Sequence, residues 1–226
     1  MSRDDTSTRL RLRVAGACGL ATALASLPLA GSPMASLPEA ELASGAYSSM
    51  HMMVQKTILK IDVAAVEVRF DKPSQLRFAE LARGQGYSDA LGQQLAQVAI
   101  GAARAAVQMQ FKHDVSLARW MAVVRTNLEQ ARAALLITGA LAQRVSQSLP
   151  LWFAPLRERG YLKGDQLIYL VTPDAIRTMV IAAGGQVLVD RRESDEGTRR
   201  VVLASYFAPG SELREPLLRS LLESPR

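Results

Sequence analysis

The spacing of apolar residues divides most of the chain beyond residue 49 into strands and amphipathic helices. Between Met50 and Phe70 the sequence is β-rich, and apolar side chains occupy both alternating faces. Such a pattern is typical of a strand buried on both sides, so we expect this stretch to be one strand covered above and below. A second strand is predicted where Val107, Met109 and Phe111 alternate with polar residues.

Helices are predicted where apolar residues recur every three or four positions behind a capping residue. A short helix covers residues 74–82, and a second follows Ser88. A long helix begins after Ser116 and is expected to end at Gly139, since glycine suits a helix C-terminus. A further helix over residues 141–149 ends at the following proline.

The last third of the chain predicts three strands followed by two helices. The Gly184-Gly185 pair indicates a two-residue hairpin turn. The predicted segments are strands at 165–171, 175–182 and 186–190, a charged loop at 191–198, a helix at 199–207 and a last helix capped by Ser211.

The first 35 residues have the three parts of an export signal. Four arginines precede an apolar run of 17 residues, Val14 to Ala30, and small residues follow it. The run contains a proline and is short for a membrane span. We therefore predict a signal peptide over 1–35, a linker over 36–48, one domain over 49–226 and a periplasmic location. The alternative is an uncleaved signal that anchors the protein in the inner membrane.

The cysteine content and the charge of the chain limit the chemistry and the partners that we expect. Cys18 is the only cysteine and lies in the predicted signal, so we expect no disulfide or thiol chemistry in the mature chain. Loss of residues 1–35 removes four Arg and two Asp, which lowers the net charge from +6 to +4. Basic residues are scattered and not interleaved with aromatics, so no nucleic-acid partner is expected. Membrane contact is expected only through the signal segment, and the oligomeric state is open.

No residue pattern points to a metal or a cofactor. The only histidines, His51 and His113, lie 62 positions apart, and nucleotide-binding glycine motifs are missing. We expect neither kind of group. Lys60 and Asp62 share one face of the first predicted strand, where an unpaired charge would be costly to bury. They form either a structural ion pair or the polar floor of a ligand cleft.

Four segments together resemble the chalcone isomerase family. They are Lys163-Gly164-Asp165 before the three strands, KIDVAAVEV from Lys60, HDVS from His113 and VLASYFAPGSELREPLL from Val202. The resemblance covers about residues 49–223, in layout more than in identity. It implies an α+β fold: an antiparallel β-sheet with helices packed on one face.

The resemblance also implies where the family's functional groups fall. The early-strand threonine falls at Asp62, the long-helix tyrosine at Trp120 and the asparagine that follows it at Asn127. The lysine that lines the family's cleft falls at Phe111, beside Lys112. A late threonine falls at Ser205. The catalytic arginine is expected between residues 50 and 54, where the chain has none, and Lys56 is the nearest cation.

These departures predict the loss of the family's cyclisation reaction. A lysine does not reproduce the fixed fork of donors of a guanidinium, and Asp62 would repel the phenolate or enolate that must be stabilised. Trp120 cannot position a water as a phenol does. We therefore predict a non-catalytic protein that binds a small amphipathic ligand, of fatty-acid or phenolic type, in a cleft between sheet and helices.

The predicted ligand-binding residues have distinct roles. Phe111 and Trp120 supply apolar wall, Asp62 disfavours anions, and Lys56, Asn127 and Ser205 supply hydrogen bonds. Lys112, next to Phe111, also belongs to the predicted site. Two alternatives stay open. One is a divergent intramolecular lyase that closes a phenolic ring, with Lys56 or Lys112 in place of the arginine. The other is an envelope scaffold protein without a small ligand.

Overall fold

The computed structural model describes residues 42, 45, 47–56 and 61–223, which form one sheet and a layer of helices. The predicted signal peptide and most of the predicted linker lie outside the described residues. The strands are β1 (Ser49–Lys56), β2 (Ile61–Phe70), β3 (Ala105–Phe111), β4 (Gln166–Val171), β5 (Ile176–Ile181) and β6 (Val187–Glu193). Within the described part of the chain, no helix is both long and apolar enough to cross a membrane.

The six strands follow one another across the sheet in chain order, and every neighbouring pair is antiparallel. The register therefore places one residue from each strand in rows across the sheet. One such row joins Met50, Val68, Val107, Tyr169, Thr178 and Arg191 on the face that the helices cover. Because side chains alternate between faces, the neighbouring residues of each strand point to the opposite face.

The helices are α1 (Lys72–Ala82), α2 (Asp89–Gly101), α3 (Leu117–Ala133), α4 (Gly139–Trp152), α5 (Glu196–Phe207) and α6 (Arg214–Ser220). A 3-10 helix, Ala154–Leu156, follows α4. The predicted caps Ser88 and Ser116 accept hydrogen bonds from the N–H groups of Leu91 and Arg119 at 3.2 and 3.3 Å. These side chains satisfy N–H groups that have no partner inside the helix.

The core between helices and sheet consists of two clusters of buried residues. One contains Phe70, Phe78 and Leu95 and lies under α1, α2 and α6. The other contains Phe111 and Trp120 and lies under α3 and α4. Helix α5 contributes to both clusters, with residues such as Phe207 in the first and Ala204 in the second.

The stretch from Met50 to Phe70 forms a hairpin, not the single strand that was predicted. Strand β1 pairs antiparallel with β2, from Ser49 opposite Arg69 to Lys56 opposite Ile61. The prediction of cover on both sides was also wrong. Ala64, Val66 and Val68 are buried, whereas the alternate residues from Val63 to Arg69 are only half-buried.

Helix α3 ends earlier than predicted, and Gly139 begins the next helix. Leu135 adopts a left-handed conformation with φ of 59°, and the Leu136 N–H donates to the Ala131 carbonyl at 3.0 Å. These two features close the helix as a Schellman cap, a role that glycine usually fills. Helix α4 starts behind Thr138, whose side chain accepts from the Leu141 N–H, and it continues through Pro150 to Trp152.

The last third departs from prediction at three turns. The β5–β6 hairpin has a three-residue loop, because the Ala182 N–H donates to the Gln186 carbonyl and the Gly185 N–H to the Ala182 carbonyl, both at 2.8 Å. Gly185 takes the left-handed position that this loop requires, with φ of 86°. Helix α5 begins at Glu196, inside the predicted loop, since Asp195 caps it through the Thr198 N–H at 3.0 Å. Ser211 accepts from the Leu213 N–H, ahead of α6, and is not its capping residue.

Asp165, just before β4, connects this strand to neighbouring segments through hydrogen bonds to its carboxylate. The side chain is buried, with 1% of its surface exposed. Arg159 donates to it at 2.8 Å, and the N–H groups of Leu162 and Ala183 donate at 2.9 and 3.2 Å. Gly160 lies beside this network with φ of 65°, and a Cβ there would be 2.6 Å from the Val115 carbonyl oxygen. The Lys163-Gly164-Asp165 segment therefore holds together the ends of several elements.

Replacing Gly160 by alanine should destabilise the fold more than the same change at Gly84. Both glycines are left-handed, but a Cβ at Gly84 meets nothing within 4 Å. We expect about 1 kcal/mol for G84A, the cost of the left-handed conformation, and about 3 kcal/mol for G160A, which adds a backbone clash. Urea denaturation measures both. Equal losses would show that the close approach to Val115 is not stabilising.

Replacing Asp165 by asparagine should cost about 2–3 kcal/mol, because a buried carboxylate with three donors is lost. Asp190 is the matched control, since its ion pair with Arg177 is 43% and 48% exposed. We expect no more than about 1 kcal/mol for D190N. The comparison is again by urea denaturation, and a D165N protein as stable as D190N would contradict the role given to Asp165.

Candidate functional site

A cavity of about 450 Å³ lies between the sheet and helices α3, α4 and α5. All six strands contribute to its lining, from Val54 on β1 to Arg191 on β6. Five inter-strand spacings of about 4.8 Å give it a length of roughly 24 Å. Its volume lies within the range of about 300–1,000 Å³ that is usual for small-molecule sites.

The cavity lies where the two core clusters meet. Val54, Met109 and Tyr169 pack against both clusters and are only partly buried. All three line the cavity. The space is therefore a gap between two well-packed regions of the core.

Aromatic side chains form one wall. Phe111 and Trp120 line the cavity and are 2% and 6% exposed. Behind them, Tyr161 stacks on Phe111 with ring centroids 4.2 Å apart, and Phe153 meets Trp120 edge-on at 4.6 Å. Aromatic pairs in such geometries are stabilising, so they help to hold this wall in place.

The structure brings four of the predicted site residues to the cavity: Phe111, Trp120, Asn127 and Ser205. Asn127 is half-buried on α3. The Ser205 hydroxyl donates to the Val202 carbonyl at 2.8 Å, which leaves its oxygen lone pairs as acceptors. Whether these residues contact a ligand stays a prediction.

Lys112 differs from the prediction, because its side chain lies on the other face of the sheet. Its ammonium donates to the Gln110 side chain at 2.5 Å, one position out of phase with Phe111, and it does not line the cavity. The backbones of Lys56 and Asp62 belong to β1 and β2. The side chains of Lys56 and Asp62, and all of Lys60, lie outside the described residues.

Arg119 was missed by sequence reasoning. It lies in the first turn of α3, beside Trp120, and it lines the cavity while remaining exposed to solvent. Within the described part of the chain its guanidinium has no carboxylate partner. The signal in the sequence was only its place next to Trp120, which does not distinguish it from other helix arginines.

Strand β6 contributes a pair of opposite charges to the cavity lining. Arg191 and Glu193 on β6 both line the cavity and form an ion pair of 2.8 Å. The Arg191 guanidinium also lies over the Trp152 ring, 5.7 Å from its centroid. This arginine therefore already has partners, unlike Arg119.

Two tyrosines, the partly buried Tyr169 and the buried Tyr206, were also missed. Both line the cavity, and burial raises the pKa of each phenol above its usual value. Each phenol therefore stays protonated and keeps a proton to donate. The alternation of β4 puts Tyr169 on the same face as Leu167 and Val171, but without the fold nothing indicates what that face meets.

Metal-ligating residues do not gather at the cavity. Over residues 47–56 and 61–223, no three His, Cys, Asp or Glu side chains are close enough to hold a metal ion. His51 and His113 are both exposed.

The fold matches that of a solved structure. A fatty-acid binding protein from Arabidopsis thaliana matches with a TM-score of 0.52 and 14% sequence identity, over 83% of this chain and 91% of that chain. The α+β fold with an antiparallel sheet and helices on one face, of chalcone isomerase-like type, is thus confirmed. Neither a protein-family model nor a curated protein sequence matches the chain.

Proposed function

We propose that this protein binds a long-chain amphipathic acid, of the fatty-acid type, in the cavity between the sheet and α3, α4 and α5, and that it is not an enzyme. The observation that carries the proposal is a mostly apolar cavity that reaches all six strands and is lined by an exposed arginine, Arg119, with no carboxylate partner among the described residues. The known function of the Arabidopsis protein, which binds fatty acids on a similar fold, supports it.

The length of the cavity favours a chain over a compact molecule. Half of a bilayer's hydrocarbon core is about 15 Å thick, which approximates one extended acyl chain. The cavity crosses all six strands, roughly 24 Å by their spacing, so it can hold such a chain with a head group at one end. Burial of the chain supplies the main favourable free energy, about 0.8 kcal/mol for each methylene.

Arg119 supplies the preference for an acid. A guanidinium binds a carboxylate through two parallel hydrogen bonds, and Arg119 is not committed to a protein carboxylate in the described part of the chain. Its exposure leaves the carboxylate partly solvated, which suits a charged group that would be costly to bury. The hydrocarbon tail then extends past Trp120 and Phe111.

The same geometry argues against the cyclising lyase. Lys112, one of the two cations considered in place of the arginine, points away from the cavity. Trp120 is held by Phe153 and Tyr161 and offers no phenol where the family has one. A scaffold without a ligand is less favoured, because its cleft would be filled by side chains and this one is open.

Changing Arg119 to glutamine should weaken binding of stearic acid about tenfold, because a charge-assisted hydrogen bond is lost. The affinity is measured by titration calorimetry, and native mass spectrometry shows whether a fatty acid is retained during purification. Wild-type affinity should also fall as salt increases.

Arg125 is the matched control. It lies on the same helix, is exposed, and does not line this cavity. R125Q should change the affinity less than twofold. Equal losses in R119Q and R125Q would refute the role of Arg119, and a wild-type protein that binds no long-chain acid would refute the proposed function.

We further propose that the protein is exported to the periplasm and that residues 1–35 are removed. Expression in a bacterial host followed by fractionation and intact-mass measurement should give a periplasmic protein that begins near residue 36, because the apolar run directs export and small residues follow it. Full-length protein in the membrane fraction would support the anchored alternative. Full-length protein in the cytoplasm would contradict both.

A further inference from the structure

Tyr169 and Tyr206 approach the cavity from opposite walls. Tyr169 lies on the helix-facing side of β4, and Tyr206 lies on α5 and is 7% exposed. Within the described part of the chain, neither hydroxyl hydrogen-bonds to a protein group. The two walls thus carry a pair of unpartnered phenols.

Other hydroxyl groups surround this pair. Thr178 pairs with Tyr169 across β4 and β5 and also lines the cavity. Ser205 precedes Tyr206 on α5, and its oxygen can still accept a hydrogen bond. These hydroxyl groups therefore interrupt the apolar lining of the cavity.

When a ligand fills the cavity and displaces water, a lining hydroxyl that finds no hydrogen-bond partner on the ligand is costly to desolvate. Both phenols are neutral at pH 7, and burial raises the pKa of each further, so each has one proton to donate and lone pairs to accept. A hydrocarbon tail offers neither a donor nor an acceptor. An unsubstituted chain would therefore leave these groups unsatisfied, whereas an oxygen atom on the chain would satisfy them.

We infer that the Tyr169 and Tyr206 hydroxyls form a second polar subsite, which binds a hydroxyl or oxo group carried partway along the ligand's hydrocarbon chain. The inference rests on the proposed function and narrows its ligand to an oxygenated long-chain acid. Arg119 takes the carboxylate at the solvent-exposed rim, and the two tyrosines take the oxygen inside the cavity.

The test compares stearic acid with a set of monohydroxystearic acids that differ in hydroxyl position. By titration calorimetry on the wild-type protein, at least one hydroxy acid should bind about tenfold more tightly than stearic acid, the gain expected of one added hydrogen bond. In Y169F and in Y206F the ratio of the two affinities should fall towards one. Phenylalanine keeps the ring, so the fold is retained, and thermal melting verifies it.

Tyr87 provides the control, since it lies outside the cavity with the Arg219 guanidinium 4.1 Å from its ring centroid. Y87F should keep the wild-type ratio. The inference is overturned if no hydroxy acid is preferred, or if the preference survives in both Y169F and Y206F. Stearic acid that binds without such a preference leaves the proposed function standing, whereas failure of every acid to bind refutes both.

Discussion

A single layer of helices covers one face of the six-stranded sheet in the described part of the chain, and the core beneath it packs as two clusters, to both of which α5 contributes. Protein interiors are close-packed, so a gap between clusters leaves its lining without the contacts that side chains normally gain. Here the gap crosses every strand of the sheet. The same division of the core therefore creates both a weak point in packing and a binding site.

The Asp165 network explains how the aromatic wall stays in place beside this gap. The Phe111 N–H donates to the Asp165 carbonyl at 2.9 Å, and the Phe111 carbonyl accepts from the Gly164 N–H at 2.8 Å. Tyr161 stacks on Phe111 and contacts Trp120. The segment that most clearly resembles the chalcone isomerase family thus supports the aromatic wall, while the groups that line the cavity come mainly from the other elements.

Much of the fold could be predicted from the sequence, because periodicity and caps such as Ser88 and Ser116 act locally. The β1–β2 hairpin was missed because no Gly, Pro, Asn or Asp lies between Lys56 and Ile61 to indicate a turn. In the site, the resemblance led us to expect Phe111 and Trp120 at the cleft, and both line the cavity. Lys112 was expected there too, but its side chain points to the other face, because a shift of one position along a strand reverses the face. Arg119, Tyr169 and Tyr206 could not be identified, since their importance depends on contacts between distant elements.

The central claim is that a fatty acid occupies this cavity, and the fluorescence of the protein's tryptophans can test it directly. Its only tryptophans, Trp120 and Trp152, both line the cavity. Bromine quenches indole fluorescence at short range, so a brominated stearic acid should quench the tryptophan emission. The quenching should saturate at one molecule of the acid per chain. Added stearic acid should displace the brominated acid and restore the emission. Unchanged emission across the titration, or quenching that stearic acid does not reverse, would contradict the account.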